Sequence, residues 1–298
     1  MLALVTTPDA PSGLALEKVP DPVAAAGELV VDVAHSSLNH GEVVAARSGG
    51  ATGAVSGWDA SGVVGASAAD GSGPPAGERV VTFGYGGAWA QRRAVAASET
   101  AVVPDSVDLA VAAALPVAGV TALQALRRSG SLLGKRVLIT GASGGVGRFA
   151  VQLAARAGAH VVAAARRGEG LADLGASEVV ADLDGLDPVD VVIENVGGPV
   201  LVQAWERLSP GGILQSVGWT SGEPATLAPY GTVGPAKSLV AFQVAGPFGP
   251  DLAYLLDLVA RGALTVDVGW RGSWRQIDDA TNALLDRNVI GKAVIDID

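Results

Sequence analysis

Cysteine is missing altogether from this chain of 298 residues. That absence excludes disulfides, thiolate metal centres and cysteine nucleophiles, and it is compatible with a reducing compartment. Histidine is nearly as scarce, at 3 residues, which leaves little material for an imidazole-based metal site or catalytic series. Positive charge is in deficit too: 20 Lys and Arg stand against 30 Asp and Glu, a net charge of -10. Sequence-independent attraction to nucleic acid or to an anionic membrane is therefore not expected, and neither is treated as a partner. There is no tandem repeat or sustained heptad, and the first residues, MLALVTTPDAP, do not show a basic region followed by an apolar signal segment. A cytoplasmic location is the expectation. The uncharged stretch 109–126 is alanine-rich and interrupted by Pro116 and Gly119, so two short buried helices meeting at the proline are expected there instead of a membrane span.

What is present is apolar residues and glycine. Hydrophobic residues make up 49% of the chain and charged ones 17%, enough to bury a core, and its length favours two lobes. Residues 2–103 read as strand-rich, with LVVDVAHSSL, DASGVVGA and ERVVTF separated by turn-forming DGSGPPAG. From 109 onward, strands and helices alternate: RVLIT, a helix over 145–157, HVVAAA, a short helix near 168–174, EVVAD, DVVIEN, a helix over 199–207, and GILQSVG. Four or five such strands predict a doubly wound parallel sheet. Then follow SLVAFQV (238–244), a helix opened by Pro250 and Asp251, a helical segment over 274–288, and a last strand GKAVIDI that could return to the first lobe.

TGASGGVG, residues 140–147, stands between RVLIT and the helix. Against the fingerprint G-x-G-x-x-G, Ala142 takes the first position, and Gly144 and Gly147 supply the others. The middle glycine admits a pyrophosphate to the backbone, the last brings helix and strand together, and the amides from Gly145 and Val146 onward meet the negative charge. The loop lacks the GK[ST] ending of a P-loop. Roughly twenty residues further on, where an acidic residue would bind the ribose hydroxyls of NAD, the chain has Ala165, Arg166 and Arg167. Arginine offers several donors to a 2'-phosphate, so NADPH is the expected cofactor, with either arginine as the ligand.

In their order along the chain, GELVVDVAHSSLNHGEV, GWDASGVV, GERVVTFGYGGAWAQ, AAALPVAGVTAL, VLITGASGGVGRFAVQLA, VVIENVGG, GGILQSVG and GKAVIDI resemble the medium-chain dehydrogenase/reductase superfamily, specifically its zinc-independent quinone oxidoreductase-like branch. The resemblance implies a partly opened β-barrel-like catalytic domain, residues 1–108 completed by 242–298, and a Rossmann-type NADPH-binding domain over 109–241. It implies that Asn39 lies near nicotinamide and substrate, that Thr121 lies near the cofactor, and that Gly144, Gly145, Val146 and Gly147 form the pyrophosphate loop. Asn195, Val196, Gly197, Gly218, Trp219 and Thr220 would border the nicotinamide and its ribose. The family's catalytic zinc ligands would fall at Leu38 or Asn39 and at Trp58, where neither thiolate nor imidazole stands, and no cysteine-rich structural loop exists, so no zinc is expected.

Without a Lewis acid, hydride addition to a quinone or activated alkene, which spreads charge through a conjugated oxygen system, suits the pocket better than reduction of a simple ketone. The expected substrate is a small conjugated carbonyl or quinone, reduced across a cleft between the lobes. Asn39 is the candidate for orienting or stabilising the oxygen, Tyr85 a candidate proton donor, and Trp58 and Trp219 candidates for an aromatic pocket, with core packing or turn formation as the alternative for each. A ketone reductase, or an NADPH-binding sensor or interaction protein without turnover, uses the same cofactor motif. Family members pair through an edge strand of the cofactor domain, and SLVAFQV is the candidate for a homodimer.

Overall fold

The computed structural model describes residues 1–298 and divides into two compact units, residues 1–120 with 245–298, and residues 121–244. The helical residues 109–120 thus fall with the first unit. No helix is long and apolar enough to cross a membrane.

The first unit opens with the antiparallel pair β1 (Leu2–Thr6) and β2 (Leu14–Lys18). The long strand β3 (Glu28–Leu38) follows, and its first half alternates as a half-buried strand should: Leu29, Val31 and Val33 are buried between more exposed neighbours. A register shift between Val33 and His35 breaks that alternation, and Ser36, Ser37 and Leu38 are then buried in succession. Helix α1 (His40–Arg47) starts at Asn39, and β4 (Asp59–Ala66), β5 (Arg79–Phe83), β6 (Arg92–Ala96) and β7 (Thr100–Val102) complete this stretch. As expected, residues 109–128 form two helices meeting at the proline, α2 (Leu109–Ala113) and α3 (Pro116–Arg128).

The second unit contains the parallel sheet. Its strands are β8 (Arg136–Thr140), β9 (His160–Ala164), β10 (Glu178–Val180), β11 (Val189–Glu194), β12 (Leu208–Ser216) and β13 (Ser238–Ala241), with α4 (Gly145–Arg156) after β8 and α5 (Gly198–Arg207) after β11. The spatial order β10-β9-β8-β11-β12-β13 is that of a doubly wound nucleotide-binding sheet, and SLVAFQV supplies its sixth strand, one more than the four or five read from the apolar runs. β8 and β11 are apolar on both faces, Val137, Leu138, Ile139, Val192 and Ile193 each being fully buried, as a central parallel strand requires. The short helix expected near 168–174 is instead a run of turns. Glycines at 168, 170 and 175 bracket it, and a single i to i−4 bond, Leu174 N–H to Gly170 O, does not nucleate a helix.

The chain then re-enters the first unit through α6 (Gly249–Ala260), β14 (Val268–Ser273), α7 (Ile277–Leu285) and β15 (Lys292–Asp296). β15 lies between β14 and β3 in a seven-stranded open sheet with no closed barrel, pairing antiparallel with β3 so that Asp296 stands opposite His35. Their side chains meet at 2.8 Å. Beneath this sheet, Leu4, Leu38, Trp89, Trp274 and Ile295 form one apolar cluster, with Trp270 packed against it. Full burial of each such side chain contributes about 1.5–3 kcal/mol.

Candidate functional site

Two groups of residues carry the expected chemistry, one in each unit. In the parallel-sheet unit the glycine loop is held on both sides. Ala142 N–H donates to Ala164 O at 3.0 Å, anchoring the loop to the end of β9, and Gly144 N–H closes a turn on Gly141 O at 3.0 Å. The first intrahelical bond of α4 is Arg148 N–H to Gly144 O, so the amides of Gly145, Val146 and Gly147 stand ahead of it, as in any helix first turn. A Cβ at Gly147 would lie 2.4 Å from Gly141 O and 2.6 Å from Ala142 Cα. No side chain fits there, which is the close approach of helix to strand that a pyrophosphate cradle needs. Arg166 and Arg167 are exposed in the bend directly after β9. The buried Arg148 of α4 donates to Glu169 O at 3.3 Å and so ties the segment after that bend back to the glycine-loop helix.

The loop after β11 is organised by Glu194, a fully buried carboxylate. It accepts from Thr140 Oγ1, Val196 N–H and Gly197 N–H, each at 2.9 Å, and burial raises its pKa above the ordinary range against the pull of these donors. Asn195 is fixed by the same threonine: its backbone N–H donates to Thr140 Oγ1 and its Nδ2 to Thr140 O, both at 2.9 Å. Its Oδ1 is left buried with no partner, an acceptor in want of a donor. Gly197, at φ 74°, lies under the Trp219 ring, where a Cβ would come within 2.6 Å of it. Trp219 is 46% exposed and donates its indole N–H to Glu223 O, and Thr220 Oγ1 donates to Asn195 O at 3.2 Å. A Cβ at Gly218 would lie 2.8 Å from Asn195 O, so these two strand-end loops pack together. Thr121 is buried in α3.

In the other unit the structure gathers Asn39 with three residues that sequence reasoning had not assigned. Asn39 Nδ2 donates to Glu42 Oε2 at 2.7 Å and to Asp59 Oδ2 at 3.0 Å, and Lys292 Nζ donates to Asn39 Oδ1 at 2.5 Å. Both amide hydrogens and the carbonyl are thereby used, so the expected direct donation by Asn39 to a substrate oxygen would require exchange of an existing bond. Lys292 also donates to Leu38 O at 3.0 Å and lies 3.3 Å from Asp59 Oδ2. Asp59 further accepts from Ser37 Oγ at 2.5 Å and, through Oδ1, from Val117 N–H at 3.0 Å in the first turn of α3. Asp59 is fully buried, and Glu42 and Lys292 are each 4% exposed; Asn39, half-buried, is where this cluster comes nearest solvent. Burial first, and then the neighbouring Asp59, push Glu42 up to about 8. The Asn-x-x-Glu spacing at 39 and 42, a helix-capping pattern, was the signal that could have found Glu42; Lys292 had none nearby in sequence.

Trp58, at the head of β4, sits beside this cluster, with Gly41 facing its ring. It meets the Tyr85 ring edge-on at 5.6 Å, and Tyr85 in turn lies edge-on to Phe83 and Phe248, which stack at 4.0 Å. Under the Tyr85 loop, Arg93 is 2% exposed and donates to Trp58 O, Thr82 Oγ1 and Gly84 O, three neutral acceptors. A groove of about 670 Å³ runs along that loop, lined by Val55, Phe83, Tyr85, Arg93 and Glu99 among others. Tyr85 is 60% exposed, with its phenol pKa raised by burial and by Glu99. Neither Trp58 nor Asn39 lines that groove, and no three His, Cys, Asp or Glu side chains converge as metal ligands do. His35 is engaged with Asp296, and His40 opens α1.

Comparison with known proteins places these features. A family profile described as zinc-binding dehydrogenase matches residues 158–295. The chloroplast envelope quinone oxidoreductase homolog of Arabidopsis thaliana is 34% identical over 246 residues, which span 74% of this chain and 73% of that protein. Among solved structures, the quinone oxidoreductase from Coxiella burnetii superposes with a TM-score of 0.87 at 25% identity, over 100% of this chain and 99% of its own. The mycobacterial protein Rv1454c, solved in complex with NADPH, gives 0.87 at 26% identity over 99% of this chain and 100% of its own.

Proposed function

Because this chain belongs to the medium-chain dehydrogenase/reductase superfamily and is similar to its quinone oxidoreductases, we propose that it is an NADPH-dependent oxidoreductase that reduces a quinone or an α,β-unsaturated carbonyl compound without zinc. The observation that carries the substrate class is the fate of the family's metal-binding positions. Leu38 and Trp58 have no donor atom to offer a metal, the Asn39 amide oxygen is taken by Lys292, and the Asp59 carboxylate is consumed by Lys292, Ser37, Asn39 and Val117. A site whose acid is neutralised by an internal lysine is suited to acceptors that delocalise their own charge.

NADPH, when bound, supplies the hydride. Gly144 to Gly147 would hold its pyrophosphate at the first turn of α4, and Arg166 or Arg167 its 2'-phosphate. The unpartnered Asn195 Oδ1 fits a donor from the nucleotide, and Gly197, Gly218, Trp219 and Thr220 shape the loops beside it, with Thr121 assigned to the same cofactor by family resemblance. In the other unit, Trp58 and Tyr85 offer flat apolar surface to a conjugated substrate, and the cluster under Asn39 supplies the electrostatic environment for its oxygen. The proton for the reduced product would come from solvent, with Tyr85 as the alternative donor.

The test is oxidation of bound NADPH followed by stopped flow with a quinone, an enone and a simple ketone, each with and without a chelator. Turnover of quinone or enone that the chelator leaves untouched supports the reading. A response to the ketone alone makes the protein a ketone reductase, and none across a broad panel makes it an NADPH sensor.

A further inference from the structure

We infer, resting on the reading above, that Glu42 is a positioning residue that holds a proton: in its neutral form it leaves the buried cluster beneath Asn39 with a net positive charge, matched to substrates whose oxygen becomes anionic. Glu42 is carried by α1 and, although it stands in one of the segments that carry the family resemblance, has been given no role in the reaction so far.

The geometry decides where the proton sits. One nitrogen, Asn39 Nδ2, donates to both carboxylates, at 2.7 Å to Glu42 and 3.0 Å to Asp59, so two buried anions would crowd the same amide. Crowded carboxylates of this kind share a proton. Asp59 has an ammonium, a hydroxyl and a backbone N–H as further partners. Glu42 has no cation or hydroxyl bonded to it: it receives the side-chain and backbone N–H groups of Asn39 on Oε2, with a lesser pull from the Trp58 backbone N–H, and its Oε1 makes no hydrogen bond of ordinary length. The acid with the poorer donor set keeps the proton, and its pKa of about 8 agrees.

The charge balance then follows from the groups around Glu42. β15 contributes Lys292, β6 contributes Arg93 and β4 contributes Asp59. On α1 itself, His40 is held toward its neutral form by burial and by Arg287, which α7 leads into. Arg93 remains a cation, since burial lowers it only to about 10, and no carboxylate bonds to it. Two cations and one anion leave one positive charge while Glu42 is neutral; ionised Glu42 cancels it. The low-dielectric surroundings let such a charge act on Asn39 and what lies against it.

The experiment uses the full chain with NADPH and two readouts. The pH dependence of kcat/KM with a quinone, from pH 6 to 10, is compared between the parent and Glu42→Gln, which mimics the neutral acid. Infrared difference spectra follow the carboxylic acid C=O band over the same range, without any acceptor, in the parent and in Glu194→Gln, which removes the other buried carboxyl whose pKa is raised, so that the band followed is that of Glu42. The expected result is a fall of about tenfold in the parent through pH 8, smaller than the roughly hundredfold or more for loss of a donor in direct contact because the charge acts through Asn39, absent from Glu42→Gln, together with an acid band that persists to pH 7 and disappears near 8. A limb that survives in Glu42→Gln, or a Glu194→Gln spectrum without a protonated carboxyl above pH 6, overturns the inference; the spectrum decides alone if Glu42→Gln does not fold. Absence of turnover with every acceptor overturns the reductase reading instead, and the infrared titration, which needs no turnover, separates the two failures.

Discussion

Lys292 donates to Asn39 Oδ1 across 253 residues of sequence, so the side chain that starts α1 is oriented by the first residue of the last strand. An amide is symmetric enough in shape to be turned over, but here a cation claims its oxygen and two carboxyl groups claim its nitrogen. Its orientation is therefore set by charge.

The cofactor assignment rests on Arg166 and Arg167 in the exposed bend after β9. Replacing both with alanine is expected to weaken NADPH binding by roughly a hundredfold, the loss of one strong charge-assisted contact. NADH binding should change by no more than about threefold, since it lacks the 2'-phosphate. Titration of nicotinamide fluorescence measures both, and equal losses for the two nucleotides would move the phosphate site elsewhere.

Gly147→Ala places a methyl group 2.4 Å from the Gly141 carbonyl and against the Ala142 backbone, neither of which is the far end of a flexible side chain. Overpacking of this kind costs about 1–3 kcal/mol. Urea denaturation should show that loss, accompanied by failure to bind NADPH, because relief requires α4 to move off the loop proposed to hold the pyrophosphate.

The structure separates two roles for Tyr85, its hydroxyl and its ring. The phenol pKa is raised, and the ring is edge-on to Trp58, Phe83 and Phe248. We expect Tyr85→Phe to keep kcat within about twofold, well below the loss that removal of a positioned proton donor causes, whereas Tyr85→Ala should raise KM. A large fall in kcat for the phenylalanine variant would restore the phenol as proton donor.

Stability should depend on pH in opposite senses through two glutamates. Glu42 has its native pKa raised from 4.5 to about 8 by burial. The native state holds that proton more tightly than the unfolded chain, so its contribution is complete below pH 4.5 and is lost as pH rises to about 8. Glu178 is lowered from 4.5 to about 2 by Arg136 and His160, so its contribution is present above 4.5 and is lost as pH falls toward 2. Thermal denaturation across pH 5 to 9 should show the first decline in the parent and not in Glu42→Gln.

The edge strand β13 leaves Leu239 47% exposed, and nearby in sequence Tyr230 is 83% and Val233 72% exposed. We propose that a second copy covers this edge. Leu239→Asp is then expected to weaken association by about 2 kcal/mol or more, roughly thirtyfold in Kd, measured by analytical ultracentrifugation; a parent that sediments as a monomer removes the proposal.

Much of this architecture is legible in local pattern. The apolar runs of β8, β9 and β11, the glycine loop and the proline between α2 and α3 each report on neighbours a few residues away, and those elements form where the pattern puts them. The turn at 168–174 misleads because its spacing imitates a helix too short to nucleate. The cluster around Asn39 is legible only in part. The capping spacing to Glu42 is local, but Lys292 reaches Asp59 over 233 residues, and a lysine in a terminal strand reads as solvated until the fold shows it buried. Arg93 hides for the same reason, its three acceptors being two backbone carbonyls and a threonine hydroxyl.

The position of β15 between β3 and β14 also has a meaning in time. During synthesis the parallel-sheet unit is contiguous, from 121 to 244, and can close as soon as it clears the ribosome. The other unit cannot: its sheet lacks a strand, and the Asp59 carboxylate lacks its ammonium, until residues 292–296 have been added. On the proposed reading, a nascent chain carries its assembled glycine loop before the cluster beneath Asn39 has its Lys292 ammonium. The capacity to bind a cofactor would then arise ahead of the capacity to use it.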